Sequence, residues 1–147
     1  MIGEFLYRLT PSELHSDQVV YQRQFQYGSS TAAATSIDIE LPPIPGEKVG
    51  LITNIAMQAL PGAGQTTREL TVSLRDEANN FLGNIAAFIG TQPVAILTGM
   101  SWQFQGVLIF PKEHIRGSAQ FSAGGVANFL DITVHILLIP KGTLQLR

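Results

Sequence analysis

Apolar and polar residues alternate along most of this chain, and this period of two limits its fold more than any other feature. Because successive side chains of a β-strand point to opposite faces, such alternation predicts strands with one buried face. The clearest case is Leu70, Val72 and Leu74, which alternate with polar or charged residues. The longest run extends from Leu130 to Leu138.

Further segments of this kind are bounded by Gly, Pro or Asn and bring the total to about eight or nine strands. They are segments 18–27, 37–41, 49–60, 81–89, 94–97, 101–110 and 119–122. Segment 81–89 contains Ala86 and Ala87, so its propensity also permits a helix. The small residues of segment 29–35 predict a flexible connector. No long segment has the helical period of 3.6, so we expect an antiparallel two-sheet domain: a sandwich, a jelly roll or a Greek-key barrel.

Charged residues are scarce in this chain. Asp, Glu, Lys and Arg make up 14% of it, whereas soluble domains usually carry about 25%. The scarcity indicates that something other than water covers part of the surface. No apolar stretch reaches the roughly 18 residues of a membrane helix, so we expect the cover to be protein. The basic residues are scattered and the formal net charge is −2, which argues against nucleic acid as a partner.

The sequence contains no recognisable motif for catalysis, a metal or a cofactor. The absence of Cys excludes thiolate catalysis, disulfides and Cys-ligated metals. The three histidines lack the spacing of paired metal ligands, and the Gly-rich segment 61–67 lacks the Gly-Lys-Ser/Thr ending of a phosphate loop. We therefore predict no enzyme, because an enzyme would require a concave cluster of titratable groups. The residues from which that cluster would have to form are His114, His135, Asp131 and Glu113.

Residues 1–16 are unusually apolar for a chain terminus, and termini are ordered only when they are tied down. They lack the basic and apolar regions of a signal peptide, so we expect the protein to be made and used without export. We predict an N-terminal arm over residues 1–16 and one β-sandwich domain over residues 17–147. The arm packs either on its own domain or on a neighbouring subunit. Its candidate interface residues are Ile2, Phe5, Leu6, Tyr7 and Leu9.

Glutamines recur on the predicted strand faces and form a second candidate contact surface. In segment 18–27, aromatic residues share one face and glutamines share the other. Uncharged amides form hydrogen bonds across a subunit contact without the cost of burying charge. The alternative is a polar face that contacts only solvent. The glutamines assigned to the interface are Gln22, Gln24 and Gln26.

Trp102 allows two interpretations. It shares a predicted strand face with Phe104, while Gln103 and Gln105 lie beside them. Aromatic faces next to amides suit a platform on which sugars stack, but an aromatic stripe at strand spacing is more commonly part of a core. A sugar-binding role therefore requires an exposed platform.

The short all-β chain, with its apolar arm, Gln-bearing faces and few charges, resembles small virion proteins of tailed bacteriophages, above all capsid decoration or cement proteins built on a jelly roll. The closing strand and short tail, residues 132–143, are similar in style to such proteins. The resemblance implies a homo-oligomer, a trimer above all, on the capsid exterior. There it would bind the major capsid protein and stabilise the lattice against internal pressure. The resemblance identifies no site residues.

We therefore predict an all-β, antiparallel two-sheet β-sandwich of the jelly-roll type with an N-terminal arm. Its predicted role is that of a non-enzymatic virion structural protein, made in the host cytoplasm, whose partners are copies of itself and the major capsid protein. No cofactor, metal, nucleic acid or membrane is expected. Two alternatives stay open, namely a phage neck, baseplate or fibre-attachment protein and a small carbohydrate-binding module.

Overall fold

A computed structural model describes residues 22–89 and 98–140 of the chain. Residues 88–89 and 98–106 are described by their backbone alone. Within these ranges the regular structure consists of strands, and none of it is a helix long and apolar enough to cross a membrane. The strands are β1 (Gln22–Ala32), β2 (Ser36–Glu40), β3 (Lys48–Leu60), β4 (Thr67–Arg75), β5 (Phe81–Ile89), β6 (Thr98–Ile109), β7 (His114–Phe121) and β8 (Asn128–Pro140). The predicted arm, residues 1–16, and the predicted strand 94–97 lie outside the described residues.

The strands form two four-stranded sheets in which every pairing is antiparallel. Sheet A has the order β1-β8-β3-β6, and sheet B has the order β2-β7-β4-β5. Except in the β4–β5 hairpin, consecutive strands lie in different sheets. Eight strands interleaved between two sheets in this order form a jelly roll. The predicted antiparallel two-sheet sandwich is therefore confirmed.

The core lies between the two sheets and consists of the apolar residues that alternate along the strands. From sheet A, Leu130, Ile132 and Val134 of β8 are fully buried. From sheet B, Leu70 and Val72 of β4 are fully buried. Each such side chain contributes about 1.5–3 kcal/mol to folding relative to an exposed one. The alternation of these two strands is confirmed.

β3 is apolar on both faces because it lies at the centre of sheet A, between β8 and β6. Ile52 and Ile55 belong to the core between the sheets. Val49 and Leu51 lie on the opposite side, in a second apolar cluster, and are also buried. The interpretation of segment 49–60 as a central strand covered on both faces is confirmed.

The β4–β5 hairpin turns where Asp, Asn and Ala follow the strand. The backbone N–H of Asn80 donates to Asp76 Oδ1 at 2.8 Å, and the Asn80 side chain donates to Asp76 Oδ2 at 3.0 Å. These hydrogen bonds stabilise the carboxylate and lower the pKa of Asp76. Asn79 adopts a φ of 67°, which Asn tolerates better than most residues. After the turn, segment 81–89 is the strand β5, so the helical alternative is wrong.

The connector predicted over segment 29–35 is mostly strand. β1 continues to Ala32 and pairs its last four residues with segment 128–131 of β8. Only residues 33–35 remain to connect β1 to β2. Small side chains removed the hydrophobic signal from this segment, but its backbone hydrogen bonds to β8 do not depend on side-chain polarity. This prediction of a flexible connector is therefore wrong for residues 29–32.

Candidate assembly surface

The two outer faces of the sandwich differ in chemistry, and the difference singles out sheet A as the candidate functional surface. The outer face of sheet B is mostly polar and charged: Asp38 and Glu40 of β2 are exposed and Arg116 of β7 lies beside them, although Phe81 of β5 is also exposed. The outer face of sheet A instead exposes the aromatic rings of Phe25 and Tyr27 on β1. Large exposed apolar side chains next to each other are a common mark of an interaction surface.

β1 turns its aromatic residues outward. The exposed fractions are 64% for Phe25 and 61% for Tyr27, whereas Gln26 between them is only 5% exposed. Within residues 22–27, the aromatic residues and the glutamines do lie on opposite faces of β1, as predicted. Residues 18–21 of the predicted strand lie outside the described part of the chain. The glutamine face, however, is the one that points into the sandwich. Gln26 is therefore not accessible to a partner, contrary to its predicted interface role.

Hydrogen bonds explain why Gln26 is buried at low cost. Its side-chain Nε2 donates to the backbone carbonyl of Pro42 and to Oε1 of Gln24, each at 3.2 Å. Buried amides are tolerated when they are hydrogen-bonded. The bond to Pro42 also connects the edge strand β1 to the loop after β2. Gln22 is exposed and Gln24 is half-buried. The interface role of these two residues stays a prediction.

A groove of about 310 Å³ runs beside Phe25 on the outer face of sheet A. The rings of Phe25 and His135 pack edge to face, with centroids 4.3 Å apart and planes at 81°, a favourable aromatic geometry. The register of β3 shifts next to the groove, between Ile52 and Asn54, and Thr53 donates a hydrogen bond to the carbonyl of His135 at 3.3 Å. The groove is lined by Arg23, Gln24, Phe25, Thr53, His135, Ile136 and Leu137.

Next to the groove, part of the same outer face is closed to solvent in the single subunit. There a second apolar cluster spans strands β3, β8 and β6. Its members are at most 9% exposed. They are Val49, Leu51, Leu108, Leu137 and Ile139. Among the described side chains of sheet A, the most exposed large apolar residues are Phe25 and Tyr27 of β1, followed by Leu60 of β3 at 41%.

Asp131 of β8 lies on the outer face of sheet A. It comes two residues before Thr133, which lies opposite Tyr27 of β1. It is paired with Ser29 of β1 and with Gln58 of β3. Burial raises the pKa of the Asp131 carboxyl, and a backbone hydrogen bond from Gln58 acts in the opposite direction.

Of the residues that an enzyme would have required, the two on β8 lie apart from His114. His135 and Asp131 lie on the outer face of sheet A, whereas His114 lies on the outer face of sheet B, where its Nε2 is 2.6 Å from Oε2 of Glu40. Arg116 also pairs with Glu40. The two outer faces are separated by the sandwich itself, whose sheets pack about 10 Å apart. In the described part of the chain, no group of His, Asp and Glu side chains has the arrangement of a metal site.

Several predicted site residues lie outside the described part of the chain. The arm residues of the candidate interface are among them: Ile2, Phe5, Leu6, Tyr7 and Leu9. Trp102 is described by its backbone, which pairs with that of Ile55. Its side chain lies outside the description, so its role as core residue or platform stays an open prediction.

Sequence reasoning missed the exposed aromatic pair. Alternation shows that Phe25 and Tyr27 share a face, but it does not show which face is inward, and hydrophobicity favoured the wrong one. One local signal was present: Gly28 follows Tyr27 on the glutamine side of β1. An added Cβ at Gly28 would collide with the side chain of Ile39 in the core, so the missing side chain marks the inward face.

No protein-family model matches the sequence, and no curated protein is significantly similar to it. Several solved structures share the sandwich fold. VP2 of an infectious bursal disease virus subviral particle has a TM-score of 0.46 and 15% identity over 86% of this chain and 34% of that chain. A chain of the cyanophage Pam1 capsid has a TM-score of 0.38 and 11% identity over 84% of this chain and 88% of that chain.

The C-terminal family 22 carbohydrate binding module of Clostridium thermocellum Xyn10B has a TM-score of 0.39 and 13% identity over 95% of both chains. This chain spans 34–38% of the length of the first four bursal disease virus structures. At these scores the likenesses assign the chain to no family.

Proposed function

We propose that this protein is a non-enzymatic virion structural protein, a capsid decoration or cement protein. It would associate with copies of itself and bind the lattice of the major capsid protein. The outer face of sheet A would supply the contact area. The observation that carries the proposal is the exposure of Phe25 and Tyr27, side by side on this face, in a chain with only 14% charged residues.

The physical basis is the hydrophobic effect acting on a rigid body. Burying an exposed aromatic side chain in a contact contributes about 1.5–3 kcal/mol. The polar and charged outer face of sheet B, with Asp38, Glu40 and Arg116, would stay in water. A sandwich with one apolar face and one solvated face can coat a lattice without aggregating on its outer side.

The first experiment measures the mass of the full-length chain in solution by light scattering. We expect an oligomer whose dissociation constant rises at least tenfold in the double variant Phe25→Ser with Tyr27→Ser. The matched control is Phe81→Ser on β5 of sheet B, a similarly exposed aromatic residue at 53%. The control should assemble like the parent. Equal effects of both variants would contradict a role for the sheet A surface.

The second experiment locates the protein in particles. An antibody against the full-length chain is applied to virus particles released by the cells that produce it and is visualised by immunogold electron microscopy. Label over the whole capsid exterior supports a decoration protein. Label confined to the neck, baseplate or fibre attachment would favour that alternative, and absence of label from all particles would contradict a virion role.

A carbohydrate-binding module is the second candidate, because the groove beside Phe25 has an aromatic wall and polar groups from Arg23, Gln24 and Thr53. Small-molecule sites combine an apolar wall with a few polar groups in this way. Binding of the full-length chain to a panel of xylan, cellulose and mannan oligosaccharides by calorimetry tests it. Binding that is lost in Phe25→Ser would favour the module over the assembly protein.

A further inference from the structure

The edge strand β1 lacks the features that protect sheet edges from pairing with other chains. An edge strand presents unpaired N–H and C=O groups, and natural proteins protect it with charges, prolines, bulges or short length. β1 is the outer strand of sheet A, with β8 as its neighbour. Among the described residues, no backbone hydrogen bond reaches β1 from its other side.

The other three edges are each protected. β2 has only five residues and exposes Asp38 and Glu40. β5 has two register shifts along its pairing with β4, and β6 has one where it pairs with β3. Irregularities of this kind bend an edge away from further pairing.

β1 shows none of these features over most of its length. It keeps an unbroken register with β8 over eleven residues. From Gln24 to Ala32 it has no charged residue and no proline. An edge that is long, regular and uncharged is suited to accept another strand.

We propose that β1 pairs with β1 of a second copy of this chain, antiparallel across a two-fold axis, so that sheet A continues through both subunits. This inference depends on the self-association in the proposed function and specifies its geometry. The second copy is the occupant that fits because the strand is self-complementary: it has no charge in its central part to repel its own copy, and its exposed aromatics can meet each other.

The side chains select one register. Residues directly opposite in antiparallel strands point to the same face, so Phe25 and Tyr27 must face outward-pointing residues of the second copy. If the two-fold axis passes through Gln26, each Phe25 lies opposite Tyr27 of the other copy. Aromatic cross-strand pairs are favourable. The same register places Arg23 opposite Ser29, so no like charges meet.

Engineered cysteines test this register in the full-length chain, which has no native Cys. The register variant, Arg23→Cys with Ser29→Cys, brings the two thiols of different subunits face to face. The matched control is Arg23→Cys with Thr31→Cys. Its two thiols would lie face to face only if the second copy were displaced by two residues from the proposed register. All three positions are exposed, so the fold should tolerate the changes. Positions 23 and 29 are about 20 Å apart along one strand, so a disulfide within one chain is excluded.

Under mild oxidation we expect a covalent dimer in the register variant, with at least tenfold higher yield than in the control. Equal yields, a higher yield in the control, or a parent chain that is monomeric at every concentration would overturn the proposed pairing. A parent chain that forms a trimer, together with a register variant that forms no disulfide, would also overturn it. That last result would leave self-association, and with it the proposed function, intact.

Discussion

Glu113 is a buried carboxyl group that hydrogen bonds satisfy only in part within the described structure. It is 7% exposed. Its Oε1 accepts a hydrogen bond from the backbone N–H of Phe110 at 3.1 Å, whereas Oε2 is buried and has no partner among the described residues. Burial raises the pKa of the Glu113 carboxyl above its ordinary value of 4.5, the charge of Asp76 adds to the rise, and the Phe110 bond opposes it.

The sign of the resulting pH dependence follows from linkage. Because the folded-state pKa of Glu113 is raised, its ionised form costs stability, and this cost appears as the pH rises through the folded pKa. Glu113→Gln keeps the acceptor for Phe110 and cannot ionise. We expect the free energy of unfolding of the variant, relative to the parent, to be higher at neutral than at acidic pH.

Urea unfolding at about pH 4 and about pH 7, on either side of the expected titration, measures this difference. Glu77→Gln is the matched control, because it removes the same charge from a side chain that is 74% exposed in a surface ion pair with Lys112. A difference between Glu113→Gln and the parent that stays constant with pH would show that the Glu113 carboxyl is not the source.

At the residue scale, the sequence also shows why polarity alone misplaces side chains. Phe25 and Gln26 lie on opposite faces as alternation predicts, yet the apolar residue is outside and the amide is inside. The burial of Gln26 depends on the carbonyl of Pro42, a partner sixteen residues away. Sequence spacing gives no information on such a contact.

Among the elements, one buried side chain joins three loops at one end of the sandwich. Asn128, at the start of β8, is fully buried. Its Oδ1 accepts from the backbone N–H of Gly62 at 2.7 Å. Its Nδ2 donates to the carbonyls of Ala34 at 2.9 Å and Ala123 at 3.2 Å. Three loops, β1–β2, β3–β4 and β7–β8, are thereby held together.

Replacing Asn128 with Ala leaves these three backbone groups without their partner. The bond to Gly62 is buried, whereas those to Ala34 and Ala123 are partly buried. A buried unpaired group costs about 1–3 kcal/mol and a partly solvated one costs less, so we expect a loss of about 3 kcal/mol in the free energy of unfolding. For a chain of this size that lowers the Tm by about 10 °C. Differential scanning calorimetry measures it, with Asn84→Ala on the exposed face of β5 as the control. A Tm loss no larger than that of the control would refute the role of Asn128.

Strand existence was predictable where apolar residues alternate with polar ones, as in β4 and β8. It was not predictable at the end of β1, where Ser, Thr and Ala carry no hydrophobic signal and pairing with β8 decides the structure. Strand order was also beyond sequence reasoning. β1 pairs with β8 at the other end of the chain, a long-range contact that local patterns do not encode.

For the whole molecule, the scarcity of charge predicts that something other than water covers part of the surface, and this stays a prediction. It did not locate that surface, because the charges that do occur collect on sheet B. The scarcity of charge can be read from the composition, but the position of the candidate surface on sheet A can be read only from the tertiary structure. The groove beside Phe25 and His135 joins residues more than one hundred positions apart and had no sequence signal.

The arm provides the last test of assembly at this scale. Among the described residues, the buried core between the sheets is formed by side chains of strands β2 to β8 and the loops between them. We expect the fold to remain intact when residues 1–16 are deleted. The apolar residues of the arm should instead contribute contact area between subunits. We expect the truncated chain to keep its Tm within a few degrees and to dissociate at least tenfold more readily in sedimentation velocity.

Substituting Phe5, Leu6 and Tyr7 together with Ser in the full-length chain separates contact area from chain length. This variant should behave like the truncated chain, because it removes the same apolar surface while keeping every residue in place. If both chains assemble like the parent, the arm makes no contact that matters and assembly depends on the sheet A surface alone. If both lose Tm by more than about 10 °C, the arm packs on its own domain, and its contribution is to folding rather than to association.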